Sequence, residues 1–367
     1  MIITEIEPDV VVFGDIHGNF NDIYYIYENI ISSAKYSNSR FLFLGDYVDR
    51  GPKPVEVCCF LFALKLSAPK RFYLLRGNHG DKKTLTNILI KTTTPAEILK
   101  INRKYGFQHM CSHLFHDTYV IKPSTLAELV YMSFNRAFCF MPVGAVIKTG
   151  GSGGGKRIFC CHGGVPSYYK ESAGKGGEGG SSKGSRRKCR GEEMEKGWSI
   201  ASLNALSKPA SLAPSKRGTP AERAFNEIMW NDPLPSKLRK KSRYRKHKYY
   251  VNRKRGGHCN FFTESGLKAF LETNNLSMVV RGHQFRHTQR RGFQHDFNGA
   301  LLTVFSSSNY CGSEKNNTGY VHVKGGPDGQ VVAHTLRKAN DAEKYRGFNL
   351  LKIVVDERTK AVTQVAF

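Results

Sequence analysis

The chain is poor in acid. Its 30 aspartates and glutamates face 56 lysines and arginines, a formal net charge of +26. Spread evenly, such a charge would repel itself, but much of it lies in two stretches, which indicates appendages more than a uniformly basic face. Paired cysteines are also missing. The nine cysteines include the neighbours Cys58-Cys59 and Cys160-Cys161 inside apolar runs and no C-x-x-C spacing. That pattern excludes a disulfide framework and reads as reduced core thiols of an intracellular protein. No apolar run reaches the length of a membrane span, and no charged leader precedes an apolar segment, so no membrane partner is expected and the predicted location is cytoplasmic or nuclear. There is no internal repeat, helical-repeat docking domain or calcium-binding loop. Regulation is therefore left to partners or to insertions.

What is present is a repeated grammar. The 367 residues suffice for one large core or two modest ones. Five apolar runs each end in a glycine-containing loop that carries Asp, His or Asn. Val10 to Phe13 stops at Gly14-Asp15-Ile16-His17-Gly18, and Phe41 to Leu44 at Gly45-Asp46-Tyr47-Val48-Asp49-Arg50-Gly51. Phe72 to Leu75 leads to Arg76-Gly77-Asn78-His79, Ile158 to Cys161 to His162-Gly163-Gly164, and Met278 to Val280 to Arg281-Gly282-His283. Runs of this kind read as buried strands. Ile23, Ile26, Tyr27, Ile30 and Ile31 then recur at helical spacing, and Pro54 opens a helix with Val55, Cys58, Cys59, Phe62 and Leu66 on one face. In sheets built from strand and helix units, ligands bind beyond the carboxyl ends of the strands, so the five loops are expected to converge. Singly each loop is an ordinary turn; the repetition carries the expectation.

Elsewhere, Pro95 to Tyr105 and Leu126 to Phe138 read as helices of a cap, and Ser265 to Asn274 as a further helix. Leu301 to Phe305, Tyr320 to Val323 and Leu350 to Val355 read as strands. Glu171 to Gly191, rich in Gly, Ser and Lys, reads as a disordered insert, and Ser207 to Gly218 resembles it. From Lys237 to Arg255 the sequence KLRKKSRYRKHKYYVNRKR contains no acid and interleaves three tyrosines. It reads as a second flexible insert within one domain spanning residues 1–367. A nuclear-import signal, a nucleic-acid patch and a surface for acidic proteins all suit its composition, although no nucleic-acid-reading module accompanies it. His109, His113 and His116 lack any strand-end context and read as surface or helix histidines.

The loop residues Asp15, His17, Asp46, Asn78, His162 and His283 make a mixed oxygen and imidazole donor set, suited to Mn, Fe or Zn and poorly to Ca. Six donors exceed what one ion with an open position needs. Two ions sharing Asp46 would use them all, and such a pair activates a water while clamping phosphoryl oxygens. His79 is then the candidate general acid, with Asp49 on its other ring nitrogen. Arg50 and Arg255 are candidates for gripping phosphate oxygens.

Taken in order, GDIHG, GDYVDRG, LLRGNH, FCCHGG and RGHQ, followed by FSSSNYCG at Phe305 to Gly312, resemble the metal-dependent serine/threonine phosphoprotein phosphatases of the calcineurin-like metallophosphoesterase superfamily. The likeness runs from about Val10 to about Val323. Smaller matches at Tyr105-Gly106-Phe107 and Trp230-Asn231-Asp232-Pro233 favour this family over dinucleotide polyphosphate hydrolases. The resemblance implies an α+β fold, a central β-sandwich flanked by helices in four layers, interrupted here by low-complexity insertions. It implies one metal on Asp15, His17 and Asp46, a second on Asp46, Asn78, His162 and His283, and manganese as the ion that serves in vitro. By the same resemblance His79 backed by Asp49 is the acid, Arg50 and Arg255 hold phosphate, and Tyr310 lies beside the substrate cleft. The implied activity is hydrolysis of phosphoserine and phosphothreonine in proteins by hydroxide activated between two metal ions, with regulatory subunits as further partners.

The departures are specific. Gly80 stands where the family usually has Glu, with Asp81 next, and only thirteen residues precede Gly14. The two inserts interrupt the substrate-facing stretch. Because the second ends at Arg255, that arginine reads equally as a placed clamp or as one member of a basic run. These features motivate an alternative, a catalytically weakened scaffold that uses the basic tract to bind partner proteins or RNA. The complete donor set favours the enzyme.

Overall fold

The computed structural model describes residues 3–79, 106–115, 123–150, 154–167, 169–170, 195–206, 219–286, 290–337, 352–355 and 362–365. Gly80, Asp81, the Pro95 to Tyr105 segment, the Glu171 to Gly191 insert and Ser207 to Gly218 lie outside the described residues.

Two mixed sheets face each other. The first contains β1 (Ile3–Ile6), β5 (Gly144–Lys148), β6 (Arg157–Cys161), β10 (Met278–Arg281), β11 (Phe293–Asp296) and β12 (Leu301–Val304), in the order β1-β5-β6-β10-β12-β11. The second contains β2 (Val10–Phe13), β3 (Arg40–Phe43), β4 (Phe72–Leu74), β13 (Thr318–Val323) and β14 (Val331–Arg337), in the order β14-β13-β2-β3-β4. A small third sheet places β9 (Asn260–Phe262) between β8 (Tyr249–Val251) and β7 (Asp232–Pro233).

The apolar runs are continuous because their strands are covered on both faces. All four residues of β2 are buried: Val10 and Val12 join Leu42, Leu44, Ile158, Cys160, Val280 and Leu302 in a core between the sheets, while Val11 and Phe13 face the other way. Outside the second sheet lie α1 (Phe20–Ile26), α2 (Pro54–Ser67), α3 (Phe107–Leu114) and α4 (Pro123–Phe140), with Phe107 and Phe138 in one cluster with Phe41 and Phe43. Outside the first sheet lie α5 (Ile200–Asn204), α6 (Pro220–Trp230) and α7 (Glu264–Thr273), whose Phe225, Ile228 and Phe270 pack with Val146, Phe159 and Val279. Full burial of side chains of this size contributes about 1.5–3 kcal/mol each. The result is the expected helix, sheet, sheet, helix layering.

Local chemistry sets several boundaries. Pro54 occupies the first turn of α2, where its missing N–H costs nothing. Thr219 caps α6 in a reciprocal box with Glu222, and Thr263 accepts from the Gly266 amide to open α7. The α2 face expected to be buried is rotated. Val55, Val57, Cys58 and Leu61 are buried, whereas Leu66 is 79% exposed. The helix outlasts its contact with the sheet, and Phe62 turns toward Phe134 and Phe138 of α4, with centroid distances of 5.9 and 6.3 Å.

A second correction concerns Lys237 to Arg255. The tract, expected to be a flexible insert, carries regular secondary structure. It contains a turn of helix at Ser236–Arg239, short 3-10 turns at Ser242–Tyr244 and Arg253–Arg255, and strand β8 paired antiparallel with β9. Its composition suggested disorder because apolar residues are few. Order comes instead from backbone pairing and from anchors such as Arg239, which reaches Asp296 at 2.7 Å and lies 4.1 Å from the Phe297 ring. Charged heads cost little when they point to water.

Strand direction brings the loops together. β2, β3 and β4 run parallel, as do β6, β10 and β12. An isolated parallel bridge from Asp15 to Phe305 joins the end of β2 in one sheet to the end of β12 in the other. The carboxyl ends of both sheets therefore share one rim.

Candidate metal centre

The rim loops hold an unusual backbone. His17, Asp46, Asp49, Arg50 and His283 all have positive φ, between 48° and 71°, a left-handed conformation that costs about 1–2 kcal/mol for a residue with a side chain. Strain gathered on functional candidates is a mark of preorganisation. Gly45 (φ 114°) lets the chain leave β3 so abruptly. At Gly77 any Cβ would overlap the Asp46 amide and carboxylate, so the Asp46 and Asn78 loops touch only because that residue is glycine.

The turns aim their side chains inward. His162 Nε2 lies 2.7 Å from Asn78 Oδ1 and 3.2 Å from Asp46 Oδ2. His17 Nε2 lies 3.6 Å from both Asp15 Oδ2 and Asp46 Oδ2. The rings of His162 and His283 stand 5.0 Å apart, and the His283 amide donates to Asp15 Oδ1 at 2.7 Å. Asp46 is shared between two groups of donors, one with His17 and His79 and one with His162 and His283, each within 4.8 Å. All six predicted ligands are thus adjacent and buried.

Burial alone would push the Asp46 carboxyl up, but His162, His79 and His17 outweigh it and hold the group well below the usual carboxylate range. Burial likewise pulls His17 down, and Asp15 and Asp46 reverse the direction to a net rise. His283 shifts well below the usual imidazole range through burial and through Arg255, His162 and Arg281. The Asp46 and His283 shifts favour the forms that bind cations, a deprotonated carboxylate and a neutral imidazole, whereas at His17 a cation would have to displace the proton that Asp15 and Asp46 favour.

The residues fit metal ions on a structural test as well. Asp15 Oδ2, His162 Nδ1 and His283 Nε2 are buried and have no hydrogen-bond partner among the described residues, an arrangement that is costly unless something else satisfies them. His17 donates through Nδ1–H to the Val48 carbonyl at 2.9 Å, which fixes the ring and aims Nε2 at the carboxylates.

Beside the donors, Asp49 Oδ2 meets His79 Nδ1 at 2.7 Å and Asp49 Oδ1 accepts from the Phe107 amide at 2.8 Å. That leaves His79 Nε2 3.9 Å from Asp46 Oδ2. Burial opposes ionisation of Asp49, yet His79, the Phe107 amide and Arg50 hold its carboxyl below the usual range. Arg50 is drawn toward Tyr310, Asp49 and Asp46, which overcome burial and raise it, and its Nε is buried with no hydrogen-bond partner among the described residues. Tyr310 stands 5.3 Å from the His17 ring, on a loop tied down by Asp22, which accepts from Ser308 Oγ at 2.9 Å.

Arg255 joins the same rim. Its Nε donates to Asp232 Oδ2 at 3.2 Å, and its guanidinium lies 5.9 Å from the Trp230 ring. Burial lowers it, but Asp232, Cys259 and Tyr310 raise it overall. Of the two sequence readings of Arg255, the geometry is that of a held side chain. Exposed His109 and His113 lie on α3, and His116 falls outside the described residues.

Two residues had no role in the motif reading. Asp232, which is 2% exposed, also takes Asn252 Nδ2 at 3.0 Å and Arg281 Nη2 at 3.3 Å. Arg281 is fully buried, donates to the Gly163 carbonyl through Nε, and is lowered to about 10, chiefly by burial. It thereby ties the His162 and His283 loops to Asp232. Both lie within quoted motifs, Trp230-Asn231-Asp232-Pro233 and RGHQ, and the signal for their role was a charge beside an apolar run, which demands a partner.

A layered sandwich with a rim of buried carboxylates and imidazoles defines a metal-dependent phosphoesterase architecture. The family model for calcineurin-like phosphoesterases matches residues 8–286, and the chain belongs to that family, which uses divalent metal ions. Among solved structures, the chain is similar to a protein serine/threonine phosphatase from Saccharomyces cerevisiae, described as similar to human phosphatase PP5: 23% identity over 91% of this chain and 82% of that one, TM-score 0.59. It is also similar to a cold-active protein-tyrosine phosphatase of a psychrophilic Shewanella species, at 16% identity over 91% of this chain and 82% of that one, TM-score 0.49. At 23% identity the likeness to the yeast phosphatase speaks to fold alone. Among the described residues, no helix is long and apolar enough to cross a membrane, and the eight described cysteines are all free.

Proposed function

We propose that this phosphoesterase is a serine/threonine protein phosphatase with two metal ions sharing Asp46. The observation that carries the reading is the convergence of Asp15, His17, Asp46, Asn78, His162 and His283 beside the hydrogen-bonded His79–Asp49 pair. Asp15, His17 and Asp46 would hold one ion and Asp46, Asn78, His162 and His283 the other. When bound, such a pair supplies a nucleophilic water at neutral pH and neutralises charge on a phosphoryl group. Mn, Fe and Zn all suit the donors. Arg50 and Arg255 orient the non-bridging oxygens, Tyr310 borders the cleft, and His79 protonates the departing serine or threonine oxygen while Asp49 keeps its Nε2 facing the substrate. The matches at Tyr105-Gly106-Phe107 and Trp230-Asn231-Asp232-Pro233 favour phosphoprotein substrates over dinucleotide polyphosphates.

The scaffold reading is less well supported, since no donor is lost. The eight described cysteines, all free, suit a reducing compartment, and we assign the protein to cytoplasm or nucleus, to be checked with a fluorescent fusion. The functional test is turnover of phosphoserine, phosphothreonine and phosphotyrosine peptides by manganese-loaded protein, with Asp46→Asn as control. Activity on the first two, abolished by the substitution, is expected. Exclusive phosphotyrosine turnover, or activity indifferent to Asp46→Asn, refutes the assignment.

A further inference from the structure

We infer that residues 237–254 form a rigid basic shelf that binds the acidic, Asp- and Glu-rich flanks of a phosphopeptide whose phosphoserine or phosphothreonine enters the metal rim. The inference rests on the phosphatase reading and adds the substrate class. Its first support is order. Thr263 donates to the Lys248 carbonyl through both its amide, at 2.9 Å, and its hydroxyl, at 3.0 Å. Tyr250 Oη donates to the Arg243 carbonyl at 2.9 Å and accepts from the His247 amide at 3.0 Å, closing the loop on itself. The cations are thus presented on a fixed surface, and less conformational entropy is lost when a partner docks.

The second support is unspent charge. Lys237, Lys240, Lys241, Lys246, Arg253 and Lys254 are exposed. Among the described residues the ion pairs of the tract are those of Arg239 with Asp296 and Arg255 with Asp232, which leaves these six without a carboxylate. Like charges held together without counterions raise the energy of the free surface, and an anionic partner relieves it.

Position is the third. Arg253, Lys254 and Arg255 occupy one 3-10 turn, so the exposed cations run directly into the guanidinium that Asp232 holds at the rim. An extended peptide advances about 3.3 Å per residue, so a few residues beside the phosphorylated one reach the shelf.

The tyrosines decide between peptide and nucleic acid. Tyr249 packs against the helix-side core and donates to the Pro166 carbonyl at 2.9 Å. Tyr250 is engaged by Tyr244 at 4.9 Å and His247 at 5.7 Å, and Arg243 covers the Tyr244 ring at 4.9 Å. Binding of single strands relies on aromatic faces open to bases, and these rings are already occupied by the shelf itself.

The test compares wild type with the Lys240→Glu, Lys246→Glu, Lys254→Glu triple variant, all exposed positions outside the rim. Substrates are a phosphoserine peptide with Asp and Glu flanks, the same peptide with Ala flanks, and an aryl phosphate. An exposed ion pair contributes a factor of about 1.5 to 5, so three reversals should raise KM for the acidic peptide roughly three- to hundredfold. Wild type should prefer the acidic peptide at least about tenfold in kcat/KM, lose that preference at high salt, and match the variant on aryl phosphate. Equal kcat/KM for the two peptides, or a preference that survives in the variant, overturns the shelf. If no substrate is turned over, the phosphatase reading fails separately. Fluorescence anisotropy with the same two peptides then judges the shelf, and equal affinities overturn it. A single-stranded RNA of matching charge that binds more tightly than the acidic peptide, and is lost in the variant, assigns the surface to nucleic acid and also overturns it.

Discussion

Replacing Asp232 with Asn tests the least expected part of the site. The amide keeps the shape of the carboxylate but removes the charge facing Arg255 at 3.2 Å and Arg281 at 3.3 Å, and it turns an NH2 toward groups that are all donors. The two arginines weigh differently. The Arg255 side chain is 32% exposed, so water screens much of its loss. Arg281 is fully buried, and removing one partner of a buried pair costs about 3–5 kcal/mol. Burial already lowers Arg281 to about 10 with Asp232 pulling the other way, so the variant leaves a desolvated cation without its main counterion. Urea unfolding of metal-free Asp232→Asn should therefore show a loss of about 3–5 kcal/mol. KM for phosphopeptides should rise as Arg255 is freed, with metal content near wild type. A stability within about 1 kcal/mol of wild type, together with an unchanged KM, would refute the idea that Asp232 organises this side of the rim.

Other expectations follow from single groups. Asp46→Asn should lower bound metal, read by elemental analysis, and abolish turnover, because one side chain serves both donor groups. His79→Asn should retain metal but lose about 10²–10⁴ in kcat on serine phosphopeptides, and less on an aryl phosphate whose leaving group needs no proton. Asp49 binds its proton more weakly in the folded than in the unfolded protein, so its stabilisation is complete above about pH 4 and is lost as pH falls through the lower folded value. The unfolding midpoint of metal-free Asp49→Asn should accordingly decline less steeply below about pH 4 than that of wild type. Gly77→Ala should disrupt metal binding with little change in the far-UV circular dichroism, since the new methyl meets Asp46 and not the sheets.

Much of the fold was legible because its signals are local. Runs such as Val10 to Phe13 alternate between two covered faces, so each position must be apolar, and a strand buried on both sides announces itself. The donors were legible for the opposite reason: Asp, His and Asn placed at the ends of such runs have no bland purpose when they recur five times. Leu66 misled because helical spacing identifies a face but not how far the partner surface extends.

The basic tract misled because composition measures how little apolar surface a segment can bury, whereas its order depends on β9, Thr263, Asp296 and Phe297, all outside it. The sequence by itself determined the strand-and-loop grammar and singled out six candidate donors, since both rest on residue type and short spacing, while the layered sandwich was what the motifs' family resemblance implied. Only the tertiary structure decided that Asp46 lies between two donor groups, that Arg255 is held at the rim, and that Asp232 and Arg281 tie the histidine loops together. Those relations span tens to hundreds of residues, and a buried charge names its need for a partner without naming which partner will meet it.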